Sequence, residues 1–141
     1  MVDVAVLARE FLLAQTAVTN LLGTNNNDSI YASYDLPEHF DPERGAGIQL
    51  FRAGGKSHSE ILSLVNARLE VRTWADVEDY LLASQVYSAI HDVFHGVTNA
   101  TVADGTIKSA LEVTAPQEMT DPETGWVSMF AFYSVLAAPS S

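Results

Sequence analysis

The chain predicts an α+β domain: an antiparallel sheet of four to five strands with two helices packed on one face. Three segments carry that expectation. Across 61–74, Val65, Ala67, Leu69, Val71 and Thr73 alternate with Asn66, Arg68, Glu70 and Arg72. That is the period-two pattern of a strand with one covered face. An amphipathic helix follows over 76–96, with Leu82, Ala83, Val86, Ala89, Ile90, Val93 and Val97 on one stripe. A similar stripe of Val4, Leu7, Ala8, Phe11, Val18 and Leu22 predicts a first helix over 3–22.

In that first helix, Val6, Leu13 and Ala17 point away from the core stripe. They are either ordinary surface apolars or a second contact face for a neighbouring subunit. Gly23 ends the helix, and 24–29 is a polar turn whose side chains compete for backbone hydrogen bonds. A short edge strand at 30–32 leads into segment 33–47, which holds two prolines and is expected as a long exposed loop. A strand follows at 48–52. Residues 53–59 then form a flexible hairpin tip, where Arg52, Lys56 and His58 make a basic spot on an acidic molecule.

Trp74 closes the long strand as a core anchor. Asp76 caps the second helix, with Asp79 three residues on. After a polar connection over 98–106, Ile107, Ser109, Leu111 and Val113 alternate as a strand. A type I turn at 121–125 then enters the last strand, 126–137. That strand is apolar on both faces: Val127, Met129, Ala131, Tyr133 and Val135 on one, Trp126, Phe130, Phe132 and Leu136 on the other. It is either central and covered twice within one subunit, or its aromatic side is covered by another chain. The second reading is preferred.

Composition narrows the function. The formal net charge is −11, and duplex affinity comes largely from Lys and Arg displacing counterions, so nucleic-acid binding is disfavoured. Cysteine is absent, which excludes disulfides and thiol chemistry. The first residues carry Asp3, Arg9 and Glu10, unlike a signal peptide. No apolar run approaches the ~20 residues of a membrane span, so a soluble cytosolic protein is expected.

Three groupings invite a chemical reading. His91 and His95 share a helix side, yet no third ligand is identifiable for zinc. Glu38, His39, Asp41 and Glu43 crowd the long loop with no nucleophile or oxyanion donor beside them. Gly54-Gly55-Lys56-Ser57 has the wrong glycine spacing for a phosphate loop and lies between strands. No catalytic residue, cofactor or metal is expected.

With these elements placed, the chain resembles the tail terminator, or tail completion, proteins of long-tailed bacteriophages. The matching features begin with an N-terminal helix ending in Leu21-Leu22-Gly23, then Ile30-Tyr31, then a Pro37 loop before an IQLF strand. They continue with RLEVRTWAD at 68–76 running into a helix, and a D-x-E-T-G hairpin at 121–125 before the last strand. The loop at 33–47 departs from the family pattern.

The resemblance implies a closed ring, usually of six subunits, that caps the tail tube, ends its polymerisation and joins tail to head. Its partners would be sister copies, the tail tube protein and a head–tail connector or neck protein. DNA would pass through without specific binding. The expected location is the virion tail or neck, assembled in the host cytoplasm. Candidate interface residues are Val6, Leu13, Ala17, Arg52, Lys56, His58, Trp126, Phe130 and Phe132. The alternatives are a related tube or neck protein, or a small ligand- or metal-binding module using the acidic loop and His91/His95.

Overall fold

The computed structural model describes residues 3–25, 27–59 and 64–140, with side chains described at all of these except 27 and 55–59. Its helices are α1 (Val4–Leu13), α2 (Thr16–Thr19) and α3 (Tyr80–Phe94). Its strands are β1 (Ile30–Tyr31), β2 (Gly47–Ser59), β3 (Leu64–Ala75), β4 (Thr98–Val102), β5 (Gly105–Glu112), β6 (Gln117–Thr120) and β7 (Val127–Pro139). They form one sheet of order β1-β2-β3-β7-β5-β4, with β6 also paired to β7.

The α+β class stands, but the sheet is larger than the four to five antiparallel strands expected. It has seven described strands and is mixed, because β1 runs parallel to β2. The segment joining those two is too long for a tight hairpin and crosses back, which permits parallel pairing. The added strands are β4, inside the supposed polar connection, and β6, exposed along its whole length. Both are held by backbone pairing with little burial, so neither leaves a hydrophobic period in the sequence.

β7 is the spine of the sheet. One edge pairs with β3 from Val127↔Ala75 to Ala137↔Val65. The other pairs first with β6 over Val127–Phe130 and then with β5 over Tyr133–Pro139. The helices cover one face, burying Val65, Ala67, Leu69, Val71, Ala131, Tyr133 and Val135 against Leu7, Leu12, Val86, Ile90 and Phe94.

The expected helix over 3–22 is two helices. Asp3 caps the first, accepting from the Ala5 N–H at 2.9 Å. The chain breaks at Gln15, which is extended (φ −100°, ψ 101°), and restarts at Thr16. The break lets Val18 enter the core on a short second helix, while Leu12 takes a buried position and Phe11 leans on Phe94 at 5.8 Å. Asp76 does not cap the second expected helix through its side chain. A 3-10 turn over Val77–Asp79 comes first, and the Asp79 N–H donates to the Asp76 carbonyl at 3.0 Å.

The supposed hairpin tip at 53–59 is strand. β2 and β3 pair as far as Ser59↔Leu64, with register shifts at Arg52/Gly54 and Ser57/Ser59. Positions 61–63, expected to open the long strand, lie outside the described residues, as do the side chains of Lys56 and His58.

The loop 33–47 is less exposed than expected. Phe40, Pro42 and Ala46 are buried, and a 3-10 turn spans Pro42–Arg44. It is clasped to Gly23 and Asn25. The Asn25 amide donates to the Asp41 carbonyl and accepts from the Asp41 N–H, both at 3.0 Å. Gly23 and Gly45 meet backbone to backbone: a Cβ on Gly23 would lie 2.1 Å from the Arg44 carbonyl oxygen. Only residues without side chains allow that approach.

Candidate interaction surfaces

The face of the sheet away from the helices is built from alternate residues of β2, β3 and β7. Register sets Glu70 beside Phe132 and Arg72 beside Phe130. The Arg72 guanidinium stands 4.8 Å from the Phe130 ring centroid, and that of Arg68 stands 5.9 Å from Phe132. Arg72 also donates to Glu70, with Nε at 2.9 Å and a terminal nitrogen at 2.7 Å. A guanidinium can hold a carboxylate with its edge while its plane lies over a ring. Glu70 is therefore buried on the face expected to be wet.

One end of this face is roofed by the 33–47 loop. Phe40 packs edge-on to Tyr31 at 5.7 Å and to Trp126 at 5.6 Å, and Trp126 meets Trp74 at 6.3 Å. The Trp74 Nε1–H donates to Gln49 Oε1 at 3.0 Å, and the Gln49 amide donates to the Tyr34 carbonyl at 2.6 Å. Trp74 is the core anchor its position suggested. Among the described residues, Gly54, Asn66, Arg68, Val113 and Ser134 line a depression toward the far end.

The candidate interface residues fall into three places. Val6 and Leu13 are half-buried and Ala17 is exposed, all on the helical side, where Leu13 also packs against the core. Arg52 is exposed at the β2 bulge, near the positions of Lys56 and His58. Phe130 and Phe132 are half-buried under the arginines, and Trp126 belongs to the aromatic cluster beneath the loop.

Sequence reasoning missed other exposed apolars. Leu111, Val113 and Met119 flank Phe130 and Phe132, while Val77, Tyr80 and Leu81 stand out at the start of α3. Simple alternation put Ile107 and Leu111 on one face. A register shift between Ile107 and Ser109 turns Ala110 inward and Leu111 outward. A single extra residue reverses every side chain beyond it.

Across the helical side, a polar cluster joins α3 to the sheet. The Tyr87 hydroxyl donates to the Glu112 carboxylate and lies 3.1 Å from the Tyr133 hydroxyl. Burial, then hydrogen bonding to Glu112 and Tyr133, drives the Tyr87 phenol far above its ordinary range, and burial pushes Tyr133 up to about 12. Both phenols are thus neutral donors. His95 Nδ1 accepts from the Glu112 N–H at 3.0 Å, and His91 stacks on His95 at 4.7 Å. The two histidines lie together as their spacing predicted, but they pack and bond within the fold. Among the described residues, no three His, Asp or Glu side chains are grouped to hold a metal. Asp41 caps its own turn, accepting from the Glu43 N–H at 2.9 Å, while Glu38, His39 and Glu43 are exposed. No described helix is long and apolar enough to cross a membrane.

No family model matches the chain, and no curated protein matches it in sequence. Among solved structures it is similar to a chain of the virion of a native gene transfer agent particle. The likeness has a TM-score of 0.66 at 11% identity and covers 96% of each chain. At that identity the two share a fold, and they share it from end to end.

Proposed function

We propose that this chain is a non-enzymatic structural protein of a virion, and that it closes into a ring capping a tail tube. The ring would end tube growth and offer the surface that joins tail to head. The single observation that carries this reading is the end-to-end likeness to a virion chain. The tail-terminator features of the sequence supply the finer role.

The surfaces support it. A ring built from one kind of interface needs two different patches per subunit. The arginine–aromatic side of the sheet and the outer side of the α1–α2 segment are distinct surfaces with exposed or half-exposed apolar groups. With −11 formal charges per copy, a ring would also let DNA pass without the counterion release that drives binding.

Native mass spectrometry at rising concentration, together with electron microscopy of tail tubes from the same particle, tests this. The expected result is a discrete closed oligomer, in solution or seated on tube ends. A chain that stays monomeric and ignores tubes would overturn it, and open filaments would favour a tube protein instead.

A further inference from the structure

Apart from Tyr34, the large apolar side chains that stand well exposed among the described residues form two groups of unlike charge. At the start of α3, Val77, Tyr80 and Leu81 are each more than half exposed, with the exposed acids Glu78 and Asp79 between them. The sequence has no Lys or Arg between Arg72 and Lys108, so the chain that forms this knuckle supplies acids and neither Lys nor Arg. The second group lies on the outer face of the sheet: Val113, whose N–H donates to the Phe132 carbonyl, Leu111 opposite Ser134, and Met119 farther along β7 opposite Ser128. Among the described side chains on that face, its charges are Arg68, exposed above Phe132, and Arg72, already held by Glu70. Glu112 and Glu118 pair with the inward Tyr133 and Met129 and so fall on the other side of their strands.

The two groups cannot cover each other within one molecule. Helix α3 packs on the inner face, where the Thr73 hydroxyl donates to the Ala83 carbonyl at 2.8 Å. The arginine–aromatic group lies on the opposite face. An apolar patch rimmed with acids on one side and an apolar patch carrying an exposed arginine on the other are complementary surfaces. Joined between copies they make a head-to-tail contact, the kind that closes a ring.

We propose that the Val77–Leu81 knuckle of one copy seats on the Arg68–Phe132 face of the next, with Glu78 or Asp79 reaching the Arg68 guanidinium. This assignment rests on the ring reading above and takes the α3 knuckle, in place of the α1–α2 side, as the second of the two patches. The planar guanidinium suits a carboxylate partner, and the rings beneath it exclude water from the contact.

Sedimentation velocity and native mass spectrometry of the full chain, alone and with tail tubes, test it through Arg68→Glu and Leu81→Asp. Both positions are exposed, so each variant should melt close to the parent, and each should lose the oligomer. Mixed together, each variant still offers one intact surface. The mixture should therefore give a one-to-one dimer that grows no further, which also shows that both variants are folded. Combining Arg68→Glu with Glu78→Arg in one chain should restore assembly. If the parent forms a ring and either single variant assembles equally well, this interface is wrong while the ring reading stands. If the parent assembles neither alone nor on tubes, both fall.

Discussion

The two faces of the β3–β7 pair are made by neighbouring residues of the same strands, yet they are held by different physics. The inner face is aliphatic: Leu69 and Val71 are fully buried beneath helices and gain from removal of apolar surface. The outer face carries Arg68, Glu70 and Arg72 opposite Phe132 and Phe130. There the charges are spent inside the sheet, on rings and on each other, and only Arg68 still reaches outward. A charged face is therefore not the same thing as a solvated one.

The largest expected effect belongs to the inner face. Leu69→Ala removes a fully buried side chain and leaves a cavity, costing about 2–5 kcal/mol in a urea melt. The outer face has one site of similar weight. Arg72→Ala strands the buried Glu70 carboxylate, and partial exposure reduces the full penalty to about 2–3 kcal/mol. The double change Glu70→Gln with Arg72→Met should recover most of that loss, because no buried charge remains. If Arg72→Ala alone costs nothing measurable, the outer face is wetter than its geometry indicates.

The end of the outer face roofed by 33–47 depends on the clasp. Asn25→Ala leaves the N–H and carbonyl of Asp41 without their partner and should cost about 1–3 kcal/mol. A thermal melt gives the loss, and quenching of Trp126 and Trp74 fluorescence should change with it, since Phe40 would leave the cluster. An unchanged melt would mean that the loop is held by its aromatics alone.

These differences track what could be read from the sequence. The inner alternation of β3 and the stripe of α3 were legible because burial on one side imposes a period. Ala83, Val86 and Ile90 are buried as expected. β4 and β6 were not legible, since they gain backbone bonds without burying a periodic face. The Gly23–Gly45 approach and the Asn25–Asp41 clasp join segments far apart in the chain, and no local pattern encodes them. Of the candidate surface residues, Phe130 and Phe132 were visible as apolars on the wrong side of a strand. Leu111 escaped because a bulge changes its face. Tyr80 and Leu81 stand exposed on a helix whose periodic signal comes from its buried stripe, Ala83, Val86, Ile90 and Phe94.

A smaller effect should separate the half-buried aromatics from the core. Phe132→Ala gives up partial burial and a cation–π contact, together about 1 kcal/mol of stability. Its effect on assembly should exceed its effect on the monomer. Equal losses in both would place Phe132 with the core instead of the interface.

The smallest expected effect lies back on the helical side, at the carboxyl pair formed by Glu10 of α1 and Asp104 of the β4–β5 turn. Burial first, then the hydrogen bond and charge of Asp104, raise Glu10 above its ordinary carboxyl value. Its Oε1 is buried without a hydrogen-bond partner. In the folded state Glu10 therefore holds its proton to higher pH than in the unfolded chain. Stability must fall as pH rises from the ordinary glutamate value through the raised one, because the native state binds more protons across that window. Below the window the contribution is fully present, and above it the native state carries two facing carboxylates. Glu10→Gln keeps the size and removes the charge. The variant should melt higher than the parent near neutral pH, with the gap closing as the solution is acidified below the ordinary glutamate value. Melting curves of both proteins across that range measure it directly, and a gap that does not narrow on acidification would show that the pair is not the cause.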